Sequence, residues 1–355
     1  MASNLIYVGT YTANIHTLRL DLATGALAEV AVVGSAGRPS YLAFHPTRDV
    51  LYAVNELREY AGQFGGAACG FAIDTHTGQL TPLNTVATHG ADPCHLRVDP
   101  AGRHLIVANY TSGHVTVLPI LGDGRLGPAA QVIAHAGASI HPTRQTGPHS
   151  HHIAFNTDGT RVFVAELGLD QIVVYRRDPV AGTLTPDGAP TTAAPGAGPR
   201  QIVLHPTASR AYVLNELAAT ITTHIYDPAT GHLTPGASVS AVPPGFTGAN
   251  SGAELRIAPS GRFLYSSNRG HDSIAIFAIA PGTGALTPRG HMSTGGATPR
   301  GIDISPDGKL LVAANQNSGN IVLFGIDTET GALLPTGQSI MIERPVCVRF
   351  ADAPG

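Results

Sequence analysis

The sequence holds no tryptophan, three cysteines and few charges, with 13% Asp, Glu, Lys and Arg. The missing tryptophan argues against repeats that carry a Trp-Asp signature. Cys69, Cys94 and Cys347 are odd in number and scattered, so they give neither a disulfide framework nor a metal-ligand spacing. The net charge is −3 and no run of Lys and Arg appears, which leaves no electrostatic case for nucleic acid. No apolar run is long enough to span a membrane, and Met1-Ala2-Ser3-Asn4 leads into a strand without the regions of a signal peptide. A soluble cytoplasmic protein is the expectation. No Gly-x-Ser-x-Gly elbow and no nucleotide-type glycine loop is present.

What the chain has in quantity is glycine (42), proline (27) and short apolar runs within a 43% hydrophobic total. These fall into a unit that recurs about seven times at roughly 46–55 residues, near the length of a propeller blade. Its first strand reads Arg38-Pro39-Ser40-Tyr41-Leu42-Ala43-Phe44-His45-Pro46 and returns at 93–100, 150–157, 199–206, 252–259 and 299–306. A Pro- and Gly-rich turn follows, such as Ser305-Pro306-Asp307-Gly308. Then come a second strand (Leu105-Ile106-Val107-Ala108-Asn109), a third (Asn320-Ile321-Val322-Leu323-Phe324), and a Thr-Gly-x-Leu turn into a weaker fourth (Thr330-Gly331-Ala332-Leu333).

The last unit is split. Arg344-Pro345-Val346-Cys347-Val348-Arg349-Phe350 opens a repeat, and Leu5-Ile6-Tyr7-Val8-Gly9-Thr10-Tyr11 supplies its second strand. A ring needs that arrangement, because an open ring leaves unpaired strand edges. A solenoid would need polar caps instead. The expected fold is all-β: a seven-bladed β-propeller with four antiparallel strands per blade, in one domain spanning 1–355, closed by N- and C-terminal strands in one blade.

Comparing the units separates scaffold from candidate site. Apolar columns such as Leu42, Leu96, Ile153, Ile202, Leu255, Ile302 and Val348 agree in every unit, as blade packing requires. Asn55, Asn109, Asn215, Asn268 and Asn315 end the second strand and suit backbone bonding at the turn; one unit has Glu166 instead. Two columns diverge. The first holds Ser40, Cys94, His151, Arg200, Ala253, Arg300 and Val346, with neighbours that include His95 and Glu254; the second holds Glu56, Tyr110, Leu167, Glu216, Arg269, Gln316 and Tyr11. Both columns lie at one mouth of the channel, which would gather Arg, Glu and His.

Paired charges lining a solvated channel are the plain explanation. The sharper one is a site for an anionic, oxygen-rich small molecule, with Arg offering bidentate donors and His or Glu offering proton transfer. In Gly147-Pro148-His149-Ser150-His151-His152, strand alternation puts His149 and His151 on one face and His152 on the other. Metal binding would need carboxylates from elsewhere, Glu166 or Glu216; a base or orienting His fits better. His135 and His141 read as loop-surface residues. The long segments 134–146 and 242–251 precede strands with candidate residues and could cover the mouth.

Taken together, Gly147-Pro148-His149-Ser150-His151, Gly198-Pro199-Arg200-Gln201, Asn215-Glu216-Leu217, Ala253-Glu254-Leu255, Ser267-Asn268-Arg269-Gly270 and Asn109-Tyr110-Thr111-Ser112-Gly113 resemble the lactonase family of seven-bladed propellers. That family includes propeller-type 6-phosphogluconolactonases and 3-carboxy-cis,cis-muconate lactonizing enzymes. The resemblance covers essentially the whole chain. It implies a cofactor-independent enzyme, with no metal, acting on a small anionic or sugar-derived lactone. The His, two Arg and Glu implicated in the muconate enzymes fall by motif on His151, Arg200, Arg269 and Glu216, the expected catalytic residues. His95, Tyr110, His149, Glu254, Asn268 and Gln316 are the expected substrate contacts. Two positions depart from the pattern, Glu166 before Leu167-Gly168 and Gln201 after Arg200. Three functions remain open: lactone hydrolysis, muconate lactonization, and partner binding without catalysis. His151 and Glu216 both remain candidates for the base.

Overall fold

The computed structural model describes residues 4–21, 24–35 and 37–351. Seven antiparallel sheets carry the fold. Blade 1 is the closing blade, with Pro345–Phe350 innermost, then Leu5–Thr10, Asn14–Leu20 and Leu27–Gly34. Blades 2 to 7 follow in chain order, with innermost strands Leu42–Phe44, Pro93–Val98, Ser150–Phe155, Pro199–Leu204, Ser251–Ile257 and Pro299–Ile304. Each innermost strand contacts the next, and Pro299–Ile304 contacts Pro345–Phe350, which in turn meets Leu42–Phe44. The ring is therefore closed, and the split repeat is its clasp, in register from Ile6↔Phe350 to Gly9↔Cys347.

Blade 4 departs from the four-strand plan, because its outer position is shared by the short strands Leu184–Pro186 and Thr191–Thr192. Blade 2 also carries a small hairpin, Glu59–Tyr60 with Gln63–Phe64. Among the described residues the only helical segment is the 3-10 turn Leu167–Leu169.

The blades pack through apolar, β-branched faces that are fully buried, as in Ile6, Val8, Val312, Ile321, Val348 and Phe350 across the blade 7–blade 1 junction. The junctions are also tied by hydrogen bonds. Buried Tyr7, Tyr52, Tyr212 and Tyr265 each donate to a glycine carbonyl of the following blade: Gly78 (3.2 Å), Gly124 (2.8 Å), Gly284 (2.9 Å) and Gly331 (2.9 Å). Gly331 has φ +75°, and a Cβ there would lie 2.3 Å from the Phe263 ring, so the turn needs glycine twice over. The Asn column is structural. The Asn55, Asn109, Asn215, Asn268 and Asn315 side chains are buried, and the Asn109 amide, for example, donates to the His114 carbonyl and to Thr116.

Candidate active site

The innermost strands do not alternate regularly where they enter the channel. Opposite the second strand, pairing skips one residue at Cys94, His151, Arg200, Arg300 and Val346, and shifts again between Gly252 and Leu255. These are β-bulges, which insert an unpaired residue and re-aim its side chain. Six of the seven residues of the first divergent column sit at these bulges; Ser40 instead precedes its strand, Leu42–Phe44. The bulge also turns two successive side chains toward the channel: His151 and His152, Cys94 and His95, and Arg200 and Gln201 all line one cavity with Ser40, Glu56 and Arg300. The expectation that His152 faces away from His151 is thus corrected, because simple alternation fails at the extra residue.

Glu216 is the hub. It follows the second strand of blade 5, its N–H donating to the Gly198 carbonyl at 2.7 Å, and is 3% exposed. Its Oε2 accepts Arg200 Nε at 2.8 Å and forms an ion pair with Arg269 Nη2 at 3.0 Å, which also donates to the Gly252 carbonyl, with His151 Nε2 4.0 Å away. Its Oε1 accepts Arg144 Nη2 at 2.5 Å. Burial alone would raise this carboxyl; Arg269 and Arg200, with Arg144, outweigh it and hold it well below the usual range. His151 moves the other way for a base: burial first, then Arg200, keeps its imidazole neutral well below 6.5, against the pull of Glu216. Burial also lowers His95 and His152, whose rings are 3.9 Å apart. Burial pushes the Cys94 thiol up; its Sγ lies 3.8 Å from His151 Nδ1.

All four residues expected to be catalytic therefore meet around one carboxylate. Of the expected substrate contacts, Tyr110 lies at the rim, its hydroxyl accepting Arg144 at 3.1 Å and its ring stacked on His149 at 4.4 Å. His95 lines the cavity, with Nδ1 accepting the Ile153 N–H. Glu254 also lines it, but its Oε1 is bound by Arg256 at 2.5 Å. Asn268 does not reach the cavity: it is fully buried and donates to the Ala241 carbonyl at 2.7 Å. Gln316 is half-buried and absent from the cavity lining.

Arg144 escaped the sequence reading because it arrives from a loop, 135–149, outside every repeat column. That loop is built rather than slack. His135 and Ser150, at its two ends, both bond Glu166 Oε2 (2.7 and 2.6 Å). Ser139 donates to Asp170, Gln145 donates to the Leu167 carbonyl, and His141 Nδ1 accepts the Arg144 N–H. His135 is accordingly no surface residue; its other nitrogen meets the Tyr175 hydroxyl at 2.6 Å. Ser150, His135 and Glu166 do not form a nucleophilic triad. Serine and carboxylate share the same ring nitrogen, Nδ1, and Ser150 is fully buried.

A second carboxyl faces the cavity from blade 2. Glu56 accepts the Tyr11 hydroxyl at 3.1 Å and the Ser40 hydroxyl, and burial raises it despite Arg300. Among the described residues no group of three or more His, Cys, Asp and Glu is placed to hold a metal ion, and no helix is long and apolar enough to cross a membrane.

This geometry agrees with what the chain is similar to. The model of a family described as "Lactonase, 7-bladed beta-propeller" matches residues 5–350. The chain belongs to that lactonase family. Within it, a 6-phosphogluconolactonase of Bacillus subtilis is 37% identical over 304 residues, covering 84% of each chain. A 6-phosphogluconolactonase of Formosa agariphila is 31% identical over 304 residues, 83% of this chain and 84% of its own. The solved periplasmic gluconolactonase of Pseudomonas aeruginosa superimposes with a TM-score of 0.92 at 33% identity, covering 99% of both chains. In this lactonase-family chain the ring places side chains of all seven blades at a single mouth.

Proposed function

We propose that this propeller hydrolyses a phosphorylated sugar-acid lactone of the 6-phosphogluconolactone type at the channel mouth. The observation that carries the reading is one buried carboxylate, Glu216, gripped by three guanidiniums beside the His151 imidazole. Neutral His151 is the base and Glu216 is not: three cations make that carboxylate a very weak proton acceptor, whereas the imidazole, although burial and Arg200 lower its basicity, stays unprotonated and available at neutral pH. His151 takes a proton from water as the water oxygen bonds to the lactone carbonyl carbon. The carbonyl electron pair moves onto its oxygen, and Arg200 and Arg269, held in place by Glu216, face that oxyanion. Collapse breaks the bond to the ring oxygen, which takes the proton back from His151 and leaves an open-chain aldonic acid, which loses its carboxyl proton to solvent as the aldonate. The curated relatives named as phosphogluconolactonases favour hydrolysis over muconate lactonization. Three free, buried cysteines suit a reducing compartment, and the reading includes the cytoplasm as its place of work.

The test is a coupled assay of 6-phosphogluconolactone opening. Wild type should exceed the buffer rate, and Arg200→Ala should lower kcat by about 10²–10³-fold. No acceleration on any aldonolactone sinks the reading, and loss of muconate absorbance instead would move it to the lactonizing reaction.

A further inference from the structure

The guanidiniums at the mouth fall into two classes. Arg144, Arg200 and Arg269 are committed to Glu216. Arg300 is not: it lines the same cavity, yet among the described residues it makes no hydrogen bond and no ion pair. What it touches is the ring of Tyr11, with its Cζ 5.2 Å from the centroid. Arg344, exposed at the rim, approaches the same ring at 5.6 Å. Glu56 stands near Arg300, but its oxygens already receive the Tyr11 and Ser40 hydroxyls.

An inward-facing guanidinium is ordinarily paired, because five donors without acceptors are costly away from bulk water. Contact with an aromatic face engages the plane of the cation and leaves its in-plane N–H groups free for a bidentate oxygen partner. Charge points the same way. Arg144, Arg200, Arg269 and Arg300 stand against Glu216 and Glu56, the third carboxyl, Glu254, being matched by Arg256, while the channel histidines are held neutral. The excess of two positive charges matches a phosphate monoester, which carries about −1.5 to −2 at neutral pH.

We infer that Arg300, backed by Tyr11 and flanked by Arg344, is the subsite for the substrate's phosphate group, separate from the Glu216-bound arginines that serve the reacting carbonyl. The subsite lies between blade 7 and the closing blade, so the lactone ring would extend from there toward His151 of blade 4. The inference rests on the lactonase reading for its substrate. Its core, an oxyanion receptor at Arg300, can be tested apart from turnover.

In the first arm, kcat/KM is measured on 6-phosphogluconolactone and on unphosphorylated glucono-1,5-lactone. Arg300→Ala should cut the preference for the phosphorylated substrate by about 10- to 100-fold, the range of a charge-assisted bidentate contact. Arg300→Lys, a point charge without the fork, should lose part of it. Arg344→Ala, on the exposed rim, should lose less in the same direction, and it covers the case in which Arg300→Ala does not fold. Equal losses on both lactones, with the ratio kept, overturn the assignment. In the second arm, inorganic phosphate is titrated into each protein by calorimetry. Binding at least tenfold weaker in Arg300→Ala supports the subsite; equal or absent binding in wild type and variant overturns it. If wild type opens neither lactone, the functional reading falls, and the phosphate titration still decides on Arg300.

Discussion

At the residue scale, the chemistry depends on how one imidazole is kept neutral. His151 is buried and faces Arg200, and both disfavour a second positive charge. The free base should therefore persist below the ordinary imidazole value of 6.5. We expect kcat/KM to hold level as pH falls through 6.5 and to drop only in more acid solution. Removing Arg200 takes away a positive neighbour, so in Arg200→Ala the acid limb should move up toward 6.5, on top of the lower rate. His151→Gln should abolish that limb and cost about 10²–10⁴-fold. A wild-type limb centred at 6.5, or an Arg200→Ala profile unmoved from wild type, would show that the two side chains are not coupled as the geometry requires. The same groups link pH to stability with a definite sign. His95, His151 and His152 refuse in the native state protons that the unfolded chain accepts below about 6.5, so stability falls as pH drops below that value.

At the scale of elements, two devices build the site: the strand bulge and the pinned loop 135–149. The loop is seated against the turn at Gly168, where a Cβ would lie 2.0 Å from the Gly147 carbonyl oxygen and 2.9 Å from the His149 nitrogen. Gly168→Ala must therefore push the loop off its seat, and Arg144 with it. Thermal melts should show a loss of about 1–3 kcal/mol, as for overpacking of a close contact. Gly34→Ala, at a strand end with nothing within 4 Å, should stay within about 0.5 kcal/mol. Equal melts would mean that the loop has slack the contacts do not show. Neither device has a strong sequence signature. Alternation of two is the only period a strand advertises, so the bulge that brings His152 and His151 to the same cavity was invisible. Arg144 was invisible as well, since comparing repeats finds only residues that have counterparts. Arg200, Glu216 and Arg269 were legible because each sits at a fixed place in a repeat where its counterparts differ. Asn268 shows the limit of that logic: its neighbour Arg269 reaches the site, while Asn268 itself is spent on the Ala241 carbonyl and is buried like the rest of its column.

For the whole molecule, the decisive feature is closure, and it was readable in the sequence from the half-repeats at the two ends. Circular contact among the innermost strands is what lets residues far apart in the chain, Tyr11 and Arg300 among them, share one mouth. Pro345–Phe350 also fills two roles at once. It hydrogen-bonds to the fully buried strand Leu5–Thr10, and through Val348 and Phe350 it joins the core shared with Val312 and Ala314 of blade 7. A chain ended after Glu343 loses both: a buried strand becomes an open edge and a blade junction loses its apolar face. We expect more than the loss of one strand in an otherwise intact protein. Calorimetry should replace a single cooperative transition with a broad one at lower temperature, and size-exclusion chromatography should show self-association through the open edge. A synthetic peptide covering 343–351, added in excess, should restore the sharp transition by re-forming the Ile6↔Phe350 register. A truncated chain that melts like the full one would show instead that each blade stands by itself and that the clasp contributes nothing to the ring.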